Sequence, residues 1–111
     1  MAEEITNIEQ CIRGWFIGNF DNTILKTEDF EVAYMKWKKG EPTGNHYQRI
    51  ATEYNLVVRG HVLVNGKEYK DGDFFIFEPY VACECKFLKD TEIVVVKTPS
   101  IPSDKVDIVC K

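Results

Sequence analysis

Short alternating runs broken by turn residues limit this chain to few folds. Asn65-Gly66 lies between His61–Val64 and Lys67–Tyr69, a two-residue hairpin signal, because both turn residues tolerate the positive φ that a primed turn needs. Asp71-Gly72-Asp73 marks a second turn. Phe30–Lys38 alternates, with Ala33, Met35 and Trp37 on one side and Tyr34, Lys36 and Lys38 on the other. Further β-like runs cover Thr23–Lys26, His46–Ile50, Glu53–Arg59, Phe74–Phe77, Cys83–Leu88 and Glu92–Lys97. Phe74–Phe77 reads as wholly core. Residues 1–13 carry only weak helical periodicity through Ile5, Ile8 and Ile12. Eight or more short strands without a long helix predict an all-β sandwich or barrel. One domain is expected. Residues 1–29 form an arm and first strands, 30–97 the barrel core, and 98–111 a tail packing on the barrel or on a partner subunit.

Charge and cysteine use narrow the function classes. The 111 residues carry a formal charge of -4, which disfavours a sequence-independent grip on nucleic acid phosphates. No apolar run approaches the ~20 residues that span a bilayer, and MAEEITNIEQ lacks the regions of a secretory signal. A cytoplasmic protein with neither nucleic acid nor membrane as partner is expected. The cysteines are Cys11, Cys83, Cys85 and Cys110. Cys83 and Cys85 share a strand face, and a ring between them would be strained, so free thiols are expected. Zinc-finger partners at the right spacing are missing from the sequence.

The stretch from Gly40 to Gly60 carries the chemistry. Five residues separate Gly40 from His46, one separates His46 from Gln48, four precede Glu53 and six precede Gly60. This resembles the first motif of the cupin superfamily, G-x5-H-x-H-x3-4-E-x6-G, with Gln48 at the second His. A second motif follows. Gly72-Asp73 leads into FFIFE, then Pro79-Tyr80-Val81-Ala82-Cys83-Glu84. Pro79 is in place, Val81 stands at the family's Gly, and Glu84 stands at its metal-binding His. The interval from Gly72-Asp73 to Pro79 is one residue longer than usual. The likeness covers roughly residues 30 to 97. It implies a double-stranded β-helix, or jelly roll, of the small single-domain, RmlC-like bacterial type.

Residues two apart on a strand point the same way. His46 and Gln48 therefore project together, Glu53 returns on the next strand with Asn55 and Val57 beside it, and Glu84 reaches in from a later one. On this count Cys83 and Cys85 face away from the site. The resemblance implies metal ligation by His46, Gln48, Glu53 and Glu84. One imidazole and three oxygen donors favour harder divalent ions, Mn, Mg or Ca, with Fe or Zn also open. Only one other histidine, His61, is present, which disfavours the two-His oxygenase pattern. Glu53 and Glu84 are the candidate acid–base groups. The pocket is expected to include Trp37 and Asn55, although Trp37 and Met35 also read as core.

Two functions follow. One is a metal-dependent cupin acting on a small polar molecule, such as a sugar or sugar-nucleotide isomerase, epimerase or lyase. The other is a metal-free, non-catalytic ligand-binding or structural module, in which the polar residues satisfy one another. A homodimer is expected, because small jelly rolls leave sheet faces and edges for a partner to cover, with the N-terminal segment or Val106–Val109 pairing as an extra strand.

Overall fold

The computed structural model describes residues 4–108. Ten strands run in order: β1 (Trp15–Ile17), β2 (Glu31–Trp37), β3 (His46–Gln48), β4 (Thr52–Arg59), β5 (His61–Val64), β6 (Lys67–Lys70), β7 (Phe74–Phe77), β8 (Cys85–Phe87), β9 (Thr91–Thr98) and β10 (Lys105–Asp107). The N-terminal segment contributes one 3-10 turn, Ile8–Gln10, capped by the Asn7 side chain on Glu9 N–H. Thr23–Lys26 does not form a strand. Leu25 makes only an isolated bridge to Ile17.

One layer is a five-stranded sheet in the order β1-β2-β9-β4-β7, antiparallel throughout. The opposite layer combines β6-β5-β8 with β10-β3, and a His46–Cys83 bridge joins the two pieces. This is the all-β jelly roll expected, with the two layers enclosing the core. Strand parity decides what each layer buries. Ala33, Val57, Ile93 and Val95 meet Val62, Val64 and Phe87 between the layers, the alternation of a half-buried sheet.

The Asn65-Gly66 hairpin forms as expected, with Asn65 and Gly66 both at positive φ. Gly60 has a different role. At φ +125° it passes so close to β9 that an added Cβ would lie 2.6 Å from Thr91 Cα, so only glycine lets β4 turn into β5 there.

Phe74–Phe77 departs from expectation. Phe75 and Phe77 are core, but Phe74 is 72% and Ile76 52% exposed. An apolar run cannot reveal by periodicity that one of its faces is uncovered.

The tail within the described residues packs on its own barrel. β10 pairs with β3, Val106 opposite Tyr47. The buried Asp104 carboxylate anchors it by accepting bonds from the backbone N–H groups of Arg49, Ile50 and Ala51 at 2.8–3.1 Å. Val109 and Cys110 lie outside the described residues.

Candidate functional site

Between the layers lies a cavity of about 870 Å³, within the usual range for small-molecule sites. His46 and Gln48 reach it from β3, Glu53 and Asn55 from β4, Glu31 and Trp37 from β2, and Lys97 from β9. Sheet register assembles its polar end. Lys97 is the cross-strand partner of Glu31 on one side and of Glu53 on the other. Since directly opposed residues share a face, a carboxylate–ammonium–carboxylate row results.

The distances follow from that row. Lys97 Nζ lies 3.8 Å from Glu53 Oε1 and 3.9 Å from Glu31 Oε1, and 5.0 Å from the centre of the Trp15 ring. Gln48 Nε2 donates to Glu53 Oε1 at 2.9 Å, and Asn55 Nδ2 donates to Glu53 Oε2 at 3.0 Å. Ser100 Oγ donates to Glu31 Oε2 at 2.9 Å. The polar side chains around Glu53's carboxylate come from both layers: Gln48 from β3, Asn55 from β4 itself and Lys97 from the neighbouring β9.

Two polar atoms are left over. Gln48 is 1% exposed, yet its Oε1 has no partner. His46 Nδ1 is likewise buried and unpaired. A buried acceptor without a donor costs about 1–3 kcal/mol, so this end of the cavity has unmet demand for hydrogen bonds. Burial pushes the His46 pKa below its ordinary value. The nearby Lys105 ammonium adds to this and Glu53 opposes it. The imidazole is therefore neutral near pH 7, able to accept or give one proton.

The structure gathers His46, Gln48, Glu53 and Asn55 as the strand count predicted, with Trp37 half-buried on the cavity wall and stacked on Phe87 at 5.1 Å. Glu84 is corrected. It is exposed, with its backbone N–H held by Asn65 Oδ1 at 3.0 Å. Cys83 and Cys85 line the cavity instead, with sulfurs 3.6 Å apart. The physical reason is parity, since a one-residue shift moves a strand's side chains to the opposite face. Counted forward from Gly72-Asp73 with the usual interval, Cys83 rather than Glu84 takes the inward position. The hydrogen bond from Cys85 and burial push the Cys83 pKa upward.

Lys97 and Glu31 were missed. Each was legible, since alternation through Ile93 and Val95 carries Lys97 inward, and alternation back from Ala33 does the same for Glu31. Both sit at strand ends, where a charge reads as solvated.

The residues present do not fit the expected divalent-metal set. Glu84 lies outside the barrel. Both oxygens of Glu53 face N–H donors, and Lys97 supplies the positive charge beside it. Among the described residues no three His, Cys, Asp or Glu side chains converge as metal ligands.

No family model matches the chain, and no curated protein matches it in sequence. Solved structures do. An uncharacterized conserved protein with a double-stranded beta-helix domain from Klebsiella pneumoniae subsp. pneumoniae MGH 78578 is 20% identical at a TM-score of 0.68, over 76% of this chain and 74% of that one. KdgF from Halomonas sp. is 20% identical at 0.64, over 68% and 74%. The bacterial pirin YhhW from Escherichia coli, solved in complex with nickel(II), is 18% identical at 0.66, over 79% of this chain but 39% of that one. These likenesses show the fold, a double-stranded β-helix. Among the described residues, no helix is long and apolar enough to cross a membrane.

Proposed function

We propose that the barrel binds a small, uncharged molecule bearing hydroxyl groups, of which sugars are the natural class. The observation that carries this reading is the pair of buried, unpartnered atoms, Gln48 Oε1 and His46 Nδ1, side by side on β3. Gln48 Oε1 can only accept, so its partner must bring an O–H or N–H. The neutral imidazole nitrogen accepts or donates, and a hydroxyl meets either need. Charge favours a neutral ligand. Lys97 is shared between two carboxylates and the Lys105 ammonium near His46 is paired with Asp107 at 3.8 Å, so both of these cations are already matched by carboxylates. The aromatic walls, Trp37, Phe75 and Phe77 among them, suit the apolar faces of a ring.

His46 also supports a catalytic reading of the isomerase, epimerase or lyase type. A neutral imidazole in a cavity can take a proton from a ligand carbon and return it, while Glu53, held by two amide donors and the Lys97 ammonium, orients Gln48. No metal enters this scheme. The non-catalytic alternative is binding alone.

A second copy of the chain is proposed as partner. Two apolar rows cross the outer face of the five-stranded sheet, Val96–Tyr54–Ile76 and Val94–Leu56–Phe74, ending at the open edge of β7. An identical copy covers both the face and the edge. A cytoplasmic setting agrees with the free thiols of Cys11, Cys83 and Cys85.

The test is a panel of neutral sugars and polyols screened by calorimetry on chelator-treated protein. Binding is expected in the wild type and is lost in Gln48→Met and in His46→Ala. Binding that requires an added divalent ion, or that favours anionic ligands, would overturn the reading. Deuterium from solvent entering a carbon of the bound ligand separates catalysis from binding alone.

A further inference from the structure

We propose that Cys83 and Cys85 form a two-thiol site on the cavity wall for a soft d10 ion, represented by monovalent copper. The two sulfurs lie 3.6 Å apart on the same inward face. Cys83 is 4% exposed and both thiols are free. Neighbouring strands fix the backbone beneath them. Cys83 N–H donates to His46 O at 2.7 Å, and Cys85 pairs with Val64 on β5. Little adjustment is left except rotation about the side-chain bonds.

The donor type selects the ion. Paired thiolates prefer soft ions over the oxygen-seeking ones. The coordination number selects it further. A tetrahedral ion needs two more ligands, and no third His, Cys, Asp or Glu converges on this pair among the described residues. A linear ion needs only two. Two metal–sulfur bonds of about 2.3 Å laid end to end span roughly 4.6 Å. The sulfurs must part by about 1 Å, within reach of small χ1 rotations. A disulfide would instead require them to close to about 2.05 Å across a single intervening residue, a strained ring. Phe87, with Trp37 stacked on it, belongs to the same apolar cluster as the pair.

The binding step is a substitution without redox change. Two S–H bonds break, two S–Cu bonds form, and two protons leave to solvent while copper stays monovalent. The site is independent of the hydroxylated-ligand reading, because it uses neither Gln48 nor the His46 nitrogen.

The experiment is anaerobic titration of the reduced full chain with monovalent copper against a competing chelator, read by native mass spectrometry. One copper per chain, with loss of two protons, is expected in the wild type and in Cys11→Ser/Cys110→Ser. It is lost in Cys83→Ser and in Cys85→Ser, and in Cys83→Ala should the buried serine impair folding, with far-UV circular dichroism confirming folded protein. X-ray absorption should show two sulfur neighbours. Copper held as tightly without Cys83, a mixed nitrogen–sulfur shell, or no uptake by the wild type would overturn the proposal.

Discussion

Lys97 faces Glu53 directly across β9 and β4, with its Nζ 3.8 Å from Oε1, and faces Glu31 equally closely on its other side. One ammonium thus serves two mostly buried carboxylates at the polar end of the cavity. Loss of that ammonium leaves two buried like charges near one another. Removing one partner of a buried ion pair typically costs about 3–5 kcal/mol. Lys97→Met should lower stability to urea by about that amount at neutral pH. Adding Glu31→Gln to Lys97→Met should restore part of the loss. An unchanged midpoint in Lys97→Met would show that the row contributes nothing.

Protonation of His46 should destabilise the fold. Its pKa lies below the ordinary 6.5 because burial, reinforced by Lys105, outweighs the opposing Glu53 and Asp107. The unfolded chain therefore takes up the proton first as pH falls. The His46 contribution is fully present above about pH 6.5 and is lost as pH drops through the lowered folded value. Melting temperature should fall less steeply below pH 6.5 in His46→Gln than in the wild type. Identical slopes would contradict the shift. The same titration should weaken ligand binding in acid wherever the imidazole acts as an acceptor.

Asp104 holds the β3–β4 turn to the tail. Its carboxylate accepts from three consecutive backbone N–H groups, those of Arg49, Ile50 and Ala51. Hydrogen bonds to a charged acceptor contribute about 1.5–3 kcal/mol, and Asp104→Ala should destabilise by roughly 2–3 kcal/mol. Amide exchange should accelerate in β3 and β10 together, because these strands pair only with each other in their sheet. Acceleration spread evenly over the barrel would argue against a local anchor.

The outer face of the five-stranded sheet should set the oligomeric state. Phe74, Ile76 and Tyr54 are 72%, 52% and 45% exposed and adjoin one another. Light scattering at micromolar concentration should give a dimer for the wild type and a monomer for Phe74→Glu/Ile76→Lys. Both substitutions lie on the exposed side of β7, so the monomer should stay folded. A wild-type monomer would sink the dimer outright.

Much of the site could be read in one dimension. The spacing from Gly40 to Gly60 places His46, Gln48, Glu53 and Asn55 inside, because strand parity is a property of neighbouring residues. Glu84 failed for the same reason that they succeeded. The motif places Glu84 by its distance from Pro79, on the far side of an interval one residue too long, and Tyr80 turns the chain there at φ 67°. The same motif measured from Gly72-Asp73 places Cys83 inside.

The sequence by itself determined most of the strands, the hairpin at Asn65-Gly66, an all-β sandwich or barrel and the inward face of β3 and β4. These depend on alternation, turn chemistry and glycine, which act over a few residues. Only the tertiary structure decided the chemistry of the cavity. Register across β2, β9 and β4 set Lys97 between Glu31 and Glu53, residues far apart in the chain, and so put an ammonium beside the carboxylate expected to hold a metal. Two local spacings, from Pro79 and from Gly72-Asp73, put opposite faces of the Cys83–Cys85 segment inward, and its bridge to His46 and its pairing with β5 chose between them. Pairing between distant strands is a non-local choice among many registers, and no local pattern encodes it.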